Sequence, residues 1–252
     1  MPQTTGKIIA VGIGPGAENE STGRALEALR ESDVIVGYEA YISLLGPVAR
    51  GKTVLSTPMK RETERCRLAV DEALRGKTVA VVCSGDAGVY GMAGLLHEVA
   101  ASYSPGERLP VEIEVVPGVT AACSAAALLG APLSHDFAVV SLSDLLTPWE
   151  TIEKRLVCAA EADFILCLYN PSSKKRAGYL ARACEAVGRF RGGDTPCGYA
   201  RNVGRAGQEH RVLPLRELAL AQVDMFTTVI IGNSSTRVIG GRLVTPRGYR
   251  DV

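Results

Sequence analysis

The sequence lacks an excess of either charge: 28 Lys and Arg stand against 27 Asp and Glu. That balance supplies no general attraction to nucleic acid. Long hydrophobic runs are missing too, and none approaches the roughly 20 residues that a helix needs to cross a bilayer. The opening stretch MPQTTGKIIAVGIGPG has no signal-peptide pattern. The sequons at Asn19 and Asn233 are therefore expected to stay unmodified. Histidine is scarce, and His97, His135 and His210 lie far apart, so they suggest no metal site. None of the seven cysteines forms a CxxC pair, which argues against a zinc or disulfide framework. Several cysteines sit inside apolar strands and read as reduced core residues of a reducing compartment, the cytoplasm. There is no repeat of fixed period and no low-complexity segment.

What is present is the composition of a soluble globular protein, 46% hydrophobic and 22% charged. Its 252 residues suffice for two modest domains. The chain is organised around TVAVVCSGDAGVYG, Thr78 to Gly91. The valine-rich run Thr78 to Cys83 has the pattern of a strand buried on both faces, as in a parallel sheet. It stops at Ser84-Gly85-Asp86-Ala87-Gly88, and a helical segment is expected from Val89 to Ala101. A polar turn between a buried strand and a helix lies at the carboxyl edge of a sheet, where open α/β folds bind small molecules. Gly85 and Gly88 permit close approach to the backbone. Asp86 is either a helix N-cap or a ligand contact.

The same grammar recurs along the chain. Strands are expected at Lys7 to Ile13, Val34 to Gly37, Thr53 to Leu55 and Glu112 to Val116. Helices are expected at Ser21 to Glu31, Tyr38 to Leu45, Lys60 to Arg75 and Ala121 to Leu129. In Lys60 to Arg75, Arg61, Glu64, Arg65, Asp71 and Glu72 form the charged outer face, and Cys66, Leu68, Ala69, Ala73 and Leu74 pack. The turn Gly130 to Ser134 marks a domain boundary, giving α/β domains 1–133 and 134–252. The second half has strands at Phe137 to Leu142, Phe164 to Tyr169, Pro196 to Ala200 and a last one at Phe226 to Ile231. Between them lie a helix opened by Thr147-Pro148-Trp149-Glu150, read as a capping box, a helix reaching about Phe190, and a short one at Pro214 to Ala221. Each half is a mainly parallel or mixed sheet flanked by helices, and the strand-end turns are expected to line an active-site cleft between the domains.

Three stretches resemble known binding motifs, and two of them lack the features such motifs need. Gly46 to Thr53 matches GxxxxGK[ST] letter for letter, but a helix precedes it and a strand follows, the reverse of a phosphate-binding loop. Gly12-Ile13-Gly14-Pro15-Gly16 lacks the third glycine of a dinucleotide fingerprint, and Glu18 and Glu20 would repel phosphate. Lys174-Lys175-Arg176 follows Asn170-Pro-Ser-Ser at a helix start, where cations oppose the dipole. That cluster is either a solvated face or a site for acidic groups.

Taken in order, GIGPG, SGDAGVYG, PGVTAA, LYNPSSKKR, ARNVG and MFTTVIIGNSS resemble the tetrapyrrole methylases, two-domain S-adenosylmethionine enzymes of corrin and sirohaem synthesis. GDAGVYGMA, SLSDLLTPWE and YNPSSKKR are similar to the branch that methylates C-17 of precorrin-3B or cobalt-factor III. The likeness runs from about Lys7 to Tyr249. It implies a homodimer that takes a tetrapyrrole substrate and uses neither nucleic acid nor membrane. It further implies that S-adenosylmethionine meets Ser84, Gly85, Asp86, Val89, Tyr90, Thr120 and Ala121. From the second half come Tyr169, Asn170, Tyr199, Ala200, Thr227 and Thr228; many family members carry methionine where Asn170 stands. Gly14 and Pro15 would floor the tetrapyrrole trough, and Lys174, Lys175, Arg176 and Arg201 would meet substrate carboxylates. Asp144 is the candidate for proton transfer during ring contraction. The alternatives are another tetrapyrrole methylase, an RNA 2'-O-methylating relative, which the charge balance disfavours, and a non-enzymatic nucleotide-binding regulator.

Overall fold

The computed structural model describes residues 6–104, 106, 108–173 and 177–250. One compact unit ends at Thr120 and the other begins at Ala121.

The first unit alternates strands and helices: β1 (Lys7–Gly12), α1 (Gly23–Glu31), β2 (Val34–Tyr38), α2 (Glu39–Ile42), β3 (Thr53–Thr57), α3 (Glu62–Leu74), β4 (Thr78–Cys83), α4 (Ala93–Ala101) and β5 (Glu112–Val116). The sheet runs β3-β2-β4-β1-β5 and every pairing is parallel. From β1 the chain steps one way across the sheet, to β2; from β3 and β4 it steps the other way. Right-handed crossovers then place α1 on one face and α3 and α4 on the opposite one. The packing agrees. Ala25, Ala28 and Leu29 of α1 share a cluster with Ile9, Val11 and Ile35. Cys66, Ala69 and Leu96 of α3 and α4 share another with Ile8, Ala10 and Val34. The three central strands, β1, β2 and β4, are apolar without alternation because both faces are covered, whereas the edge strands β3 and β5 are partly exposed. Burying Ile8 and Ile9, both at 0% exposure, contributes about 1.5–3 kcal/mol each.

Two details depart from the sequence reading. Helix α4 starts at Ala93, not Val89, because Tyr90 adopts a left-handed φ of 53° that no helix continues through. Arg65 is buried, not on the outer face of α3: the i, i+4 stripe 65–69–73 faces the sheet, while Leu74 is exposed. Gly46–Ala49 is a short 3-10 helix ahead of β3, so the GxxxxGK[ST] match does not open a helix.

The second unit contains α5 (Ala121–Leu129), β6 (Gly130–Ala131), β7 (Phe137–Ser141), α6 (Trp149–Glu161), β8 (Ile165–Tyr169), α7 (Tyr179–Gly188), β9 (Pro196–Arg201), β10 (Glu209–Pro214), α8 (Leu215–Leu218), β11 (Thr227–Ile231), β12 (Arg237–Ile239) and β13 (Arg242–Val244). Its main sheet runs β10-β9-β11-β8-β7, parallel only between β7 and β8. A small sheet, β12-β13-β6, stands apart. Helix α5 belongs here: Ala122, Ala125, Ala126 and Leu129 pack with Ile165, Cys167, Ala200 and Ile230. The division between units therefore falls ahead of the Gly130–Ser134 turn. Phe226 to Ile231 does not hold the last strand, since β12 and β13 follow it. The expected capping box is absent: extended Pro148 is the N-cap residue of α6, with no side-chain capping bond.

Candidate functional site

In the first unit, three strand-end turns at the carboxyl edge are fused backbone to backbone. After β1, Gly14 exchanges hydrogen bonds with Gly85 beyond β4, N to O at 3.0 and 2.8 Å. Both residues are left-handed, with φ of 72° and 68°. Gly118, beyond β5, is wedged against them: a Cβ there would lie 2.2 Å from the Gly85 carbonyl oxygen and 2.5 Å from that of Gly12. The Asp86 carboxylate ties the turns together. Its Oδ1 accepts from the amides of Gly88 at 2.7 Å and Val89 at 3.1 Å, and its Oδ2 from the Gly118 amide at 3.0 Å. Asp86 thus caps a turn, not α4, whose N-cap is Met92. The turn presents Val89 and Tyr90 outward, Tyr90 at 58% exposure. Beside it, Ser84 is half-buried and Pro15 is buried.

The second unit has its own edge. Ser141 pairs with Tyr169 and Ala200 with Thr228. Val229 pairs antiparallel with Leu168, which sets Thr228 beside Tyr169. Ser141, Tyr169, Thr228 and Ala200 therefore form one row across four strands, with Tyr199 and Thr227 next to it. The Tyr169 hydroxyl accepts from the Ala122 amide at 2.7 Å and satisfies one of the unpaired donors in the first turn of α5. That bond holds the first turn of α5, with Ala121, at the same edge. Asn170 has a φ of 52°, and its Nδ2 donates to Ser141 Oγ at 3.0 Å.

Asp144 lies exposed in the loop after β7, and Tyr179 donates its hydroxyl to Asp144 Oδ2 at 2.6 Å. Tyr179 packs edge-on against Trp149 at 4.7 Å, and Arg182 lies 4.1 Å over that Trp149 ring. Sequence reasoning missed Tyr179, Ser141 and Gly118. Each acts through a partner distant in sequence, so no local pattern points to it. Arg201 is already paired, 2.7 Å from Asp224 and 3.4 Å from Glu209. The Asp224 charge, with Glu209, pushes its pKa further above the usual arginine value. Lys174, Lys175 and Arg176 lie outside the described residues. The Cys83 thiol, which ends β4 beside the glycine turn, is pushed up to about 11 by burial and is no nucleophile near neutral pH.

Each edge offers backbone donors, small residues and aromatic rims, which suits a small polar organic ligand better than a metal. Comparison with known proteins sharpens this. Residues 7–219 match the family profile of the tetrapyrrole (corrin/porphyrin) methylases. The probable cobalt-factor III C(17)-methyltransferase of Salmonella typhimurium is 46% identical over 242 residues, 96% of this chain and 99% of that protein. The precorrin-3B C(17)-methyltransferase of a Sinorhizobium species is 38% identical over 250 residues, 97% and 98% of the two chains. A crystal structure of the methyltransferase CobJ aligns with a TM-score of 0.88 at 38% identity, over 96% of this chain and 100% of that one. A uroporphyrin-III C-methyltransferase from Thermus thermophilus, complexed with S-adenosylhomocysteine, shares the fold at 20% identity and a TM-score of 0.67, over 90% and 92%. With a family match over most of its length and near full-length relatives at this identity, the chain belongs to the tetrapyrrole methylases.

Proposed function

We propose that this protein transfers a methyl group from S-adenosylmethionine to C-17 of a corrin precursor, with coupled contraction of the ring, in cobalamin biosynthesis. The near full-length identity to relatives named for that C-17 methylation carries the reading. Those relatives are named for two substrates, cobalt-factor III and precorrin-3B, and both belong in the test. Incubating the purified protein with each, plus the methyl donor, should give a product heavier by one methyl group with a shifted absorption spectrum. No mass gain with either would overturn the assignment.

Bound S-adenosylmethionine supplies a methyl group on a cationic sulfur, already activated for transfer. What remains for the chain is alignment and exclusion of water. The turn held by Asp86 is built for alignment, because its amides are fixed before any ligand arrives. The proposed donor contacts are Ser84, Gly85, Asp86, Val89, Tyr90, Thr120 and Ala121, then Tyr169, Asn170, Tyr199, Ala200, Thr227 and Thr228. Gly14 and Pro15 are proposed to floor the macrocycle site. The carboxylates of the macrocycle give Lys174, Lys175 and Arg176 natural partners, while Arg201 reaches them only by sharing with Asp224. The family resemblance supports a homodimer in the cytoplasm, which a molar-mass measurement and cell fractionation test. No helix among the described residues is long and apolar enough to cross a membrane.

Ring contraction requires a proton to move, and Asp144 is the proposed carrier. Its carboxylate is oriented by the Tyr179 hydroxyl and open to solvent. Asp144→Asn is expected to leave the Kd for S-adenosylhomocysteine within about twofold and to lower kcat by about 100-fold, in the range of general acid–base catalysis. Product formation at the wild-type rate would remove Asp144 from the mechanism.

A further inference from the structure

Arg65 of α3 is 4% exposed. Its guanidinium donates to the carbonyls of Thr57 at 3.3 Å and Pro58 at 3.1 Å, and to the Met92 sulfur at 3.3 Å. The Tyr38 ring centroid lies 6.0 Å away. Its Nε has no hydrogen-bond partner, and neither does the neighbouring Thr57 hydroxyl. All of these neighbours are neutral. Among the described residues no carboxylate pairs with Arg65; Glu64 turns instead to Arg61, and Glu62 to the Lys60 amide. The Asp86 carboxylate is occupied by three amides.

An arginine keeps its proton at any physiological pH. Holding that charge out of water without a counter-ion costs several kcal/mol, and an apolar side chain of similar volume is often no worse for stability. The fold nevertheless places it beneath the carboxyl ends of β2, β3 and β4. Tyr38, Thr57 and Cys83 end those strands, and Met92 closes the SGDAGVYGM segment. Above it, the loop after β3 carries exposed Lys60 in a left-handed conformation, with φ of 69°. The charge thus lies under the carboxyl edge proposed above to receive ligands, and its surroundings screen it less than salt water screens a surface lysine.

We propose that Arg65 is a specificity residue: its unneutralised charge makes the carboxyl edge of the first sheet select a polycarboxylate macrocycle, while its bonds to the Thr57 and Pro58 carbonyls fix the loop after β3. The inference rests on the functional reading above and deepens it. A cationic sulfonium gains nothing from this field, whereas a ring bearing carboxylates does. Substrate and donor should therefore respond differently to its removal.

In the full-length enzyme, Arg65→Met is expected to raise KM for the macrocycle about 10-fold and to flatten the fall of kcat/KM with added NaCl. The Kd for S-adenosylhomocysteine should stay within about twofold. Arg65→Lys keeps the charge and should retain the salt dependence and most of the affinity. Uroporphyrin, a polycarboxylate used only as a binding probe, should follow the same order when its absorbance reports binding. If the methionine variant does not fold, Arg65→Gln removes the charge while keeping an amide donor for the Thr57 carbonyl, and is judged by the same measurements. A charge-free variant with wild-type KM and wild-type salt slope overturns the proposal, as does a lysine variant that behaves like the charge-free one. Failure of the wild-type protein to methylate either corrin precursor would instead remove the functional reading, and the uroporphyrin titration would still decide the role of Arg65.

Discussion

Gly118→Ala is expected to cripple the protein although it adds one methyl group. The new carbon would fall 2.2 Å from the Gly85 carbonyl oxygen and 2.6 Å from the Gly12 carbonyl carbon. Neither can retreat alone, because Gly85 is locked to Gly14 by paired backbone bonds and Gly12 is the last residue of β1. Overpacking a core side chain costs about 1–3 kcal/mol; here the obstruction is backbone, so about 3 kcal/mol is expected. For a unit of this size that lowers Tm by about 10 °C. The same displacement would move the Asp86 turn, so calorimetry should show S-adenosylhomocysteine binding lost with the stability. Gly94→Ala is the control. A Cβ at Gly94 meets nothing within 4 Å, and the residue lies inside α4, so it should be neutral or stabilising by about 0.5–1 kcal/mol. A Gly118→Ala protein that melts and binds like wild type would show that the turns yield more easily than their contacts imply.

The second large effect is expected at Asp86. Replacing it with alanine leaves the amides of Gly88, Val89 and Gly118 without their acceptor. Hydrogen bonds to a charged group contribute about 1.5–3 kcal/mol each, and water recovers part of that at the more exposed amides. A loss of about 2–3 kcal/mol in stability and a 10- to 100-fold weaker Kd for S-adenosylhomocysteine should follow. Asp86→Asn is the informative companion. Its single carbonyl oxygen can serve either the Gly88–Val89 pair or Gly118, so its Kd should fall between those of wild type and Asp86→Ala. If both variants bind as wild type does, Asp86 is a turn former with no part in holding the donor.

Much of this architecture was legible because the strands of the first unit carry their signal locally. Thr78–Cys83 and Glu112–Val116 appear with the boundaries read from sequence, as does helix Ala121–Leu129. Thr78–Cys83 is an uninterrupted apolar run, Glu112–Val116 alternates Glu with Ile and Val as an edge strand does, and a glycine turn ends each. The second unit hides more. Strand Glu209–Pro214 is an edge strand whose first three residues are exposed, so it shows no apolar run. Strand Gly130–Ala131 has two residues and is a strand only because Leu243 and Val244 pair with it. Capping at Thr147 was a reasonable local inference that extended Pro148 overrides. The candidate site shows the same division. Asp86 was visible as a polar residue in a strand-end turn, but its bond to Gly118 spans 32 residues. Charge predicts exposure for Arg65, and only the phase of α3 against the sheet shows otherwise.

The pairing of β13 with β6 has a bearing on biogenesis. All five strands of the first sheet have been synthesised once Val116 is made, so that unit is able to fold while the ribosome is still at work. The second has no such freedom. Leu243 is fully enclosed with Leu129 and Ile165, and the short strand after α5 finds its partner only when Leu243 and Val244 emerge. Until then Leu129 lacks part of its cover, and a nascent chain stalled before Arg242 presents greasy surface to chaperones and proteases. Late truncations should therefore reduce yield in cells far more than their distance from the glycine turns suggests.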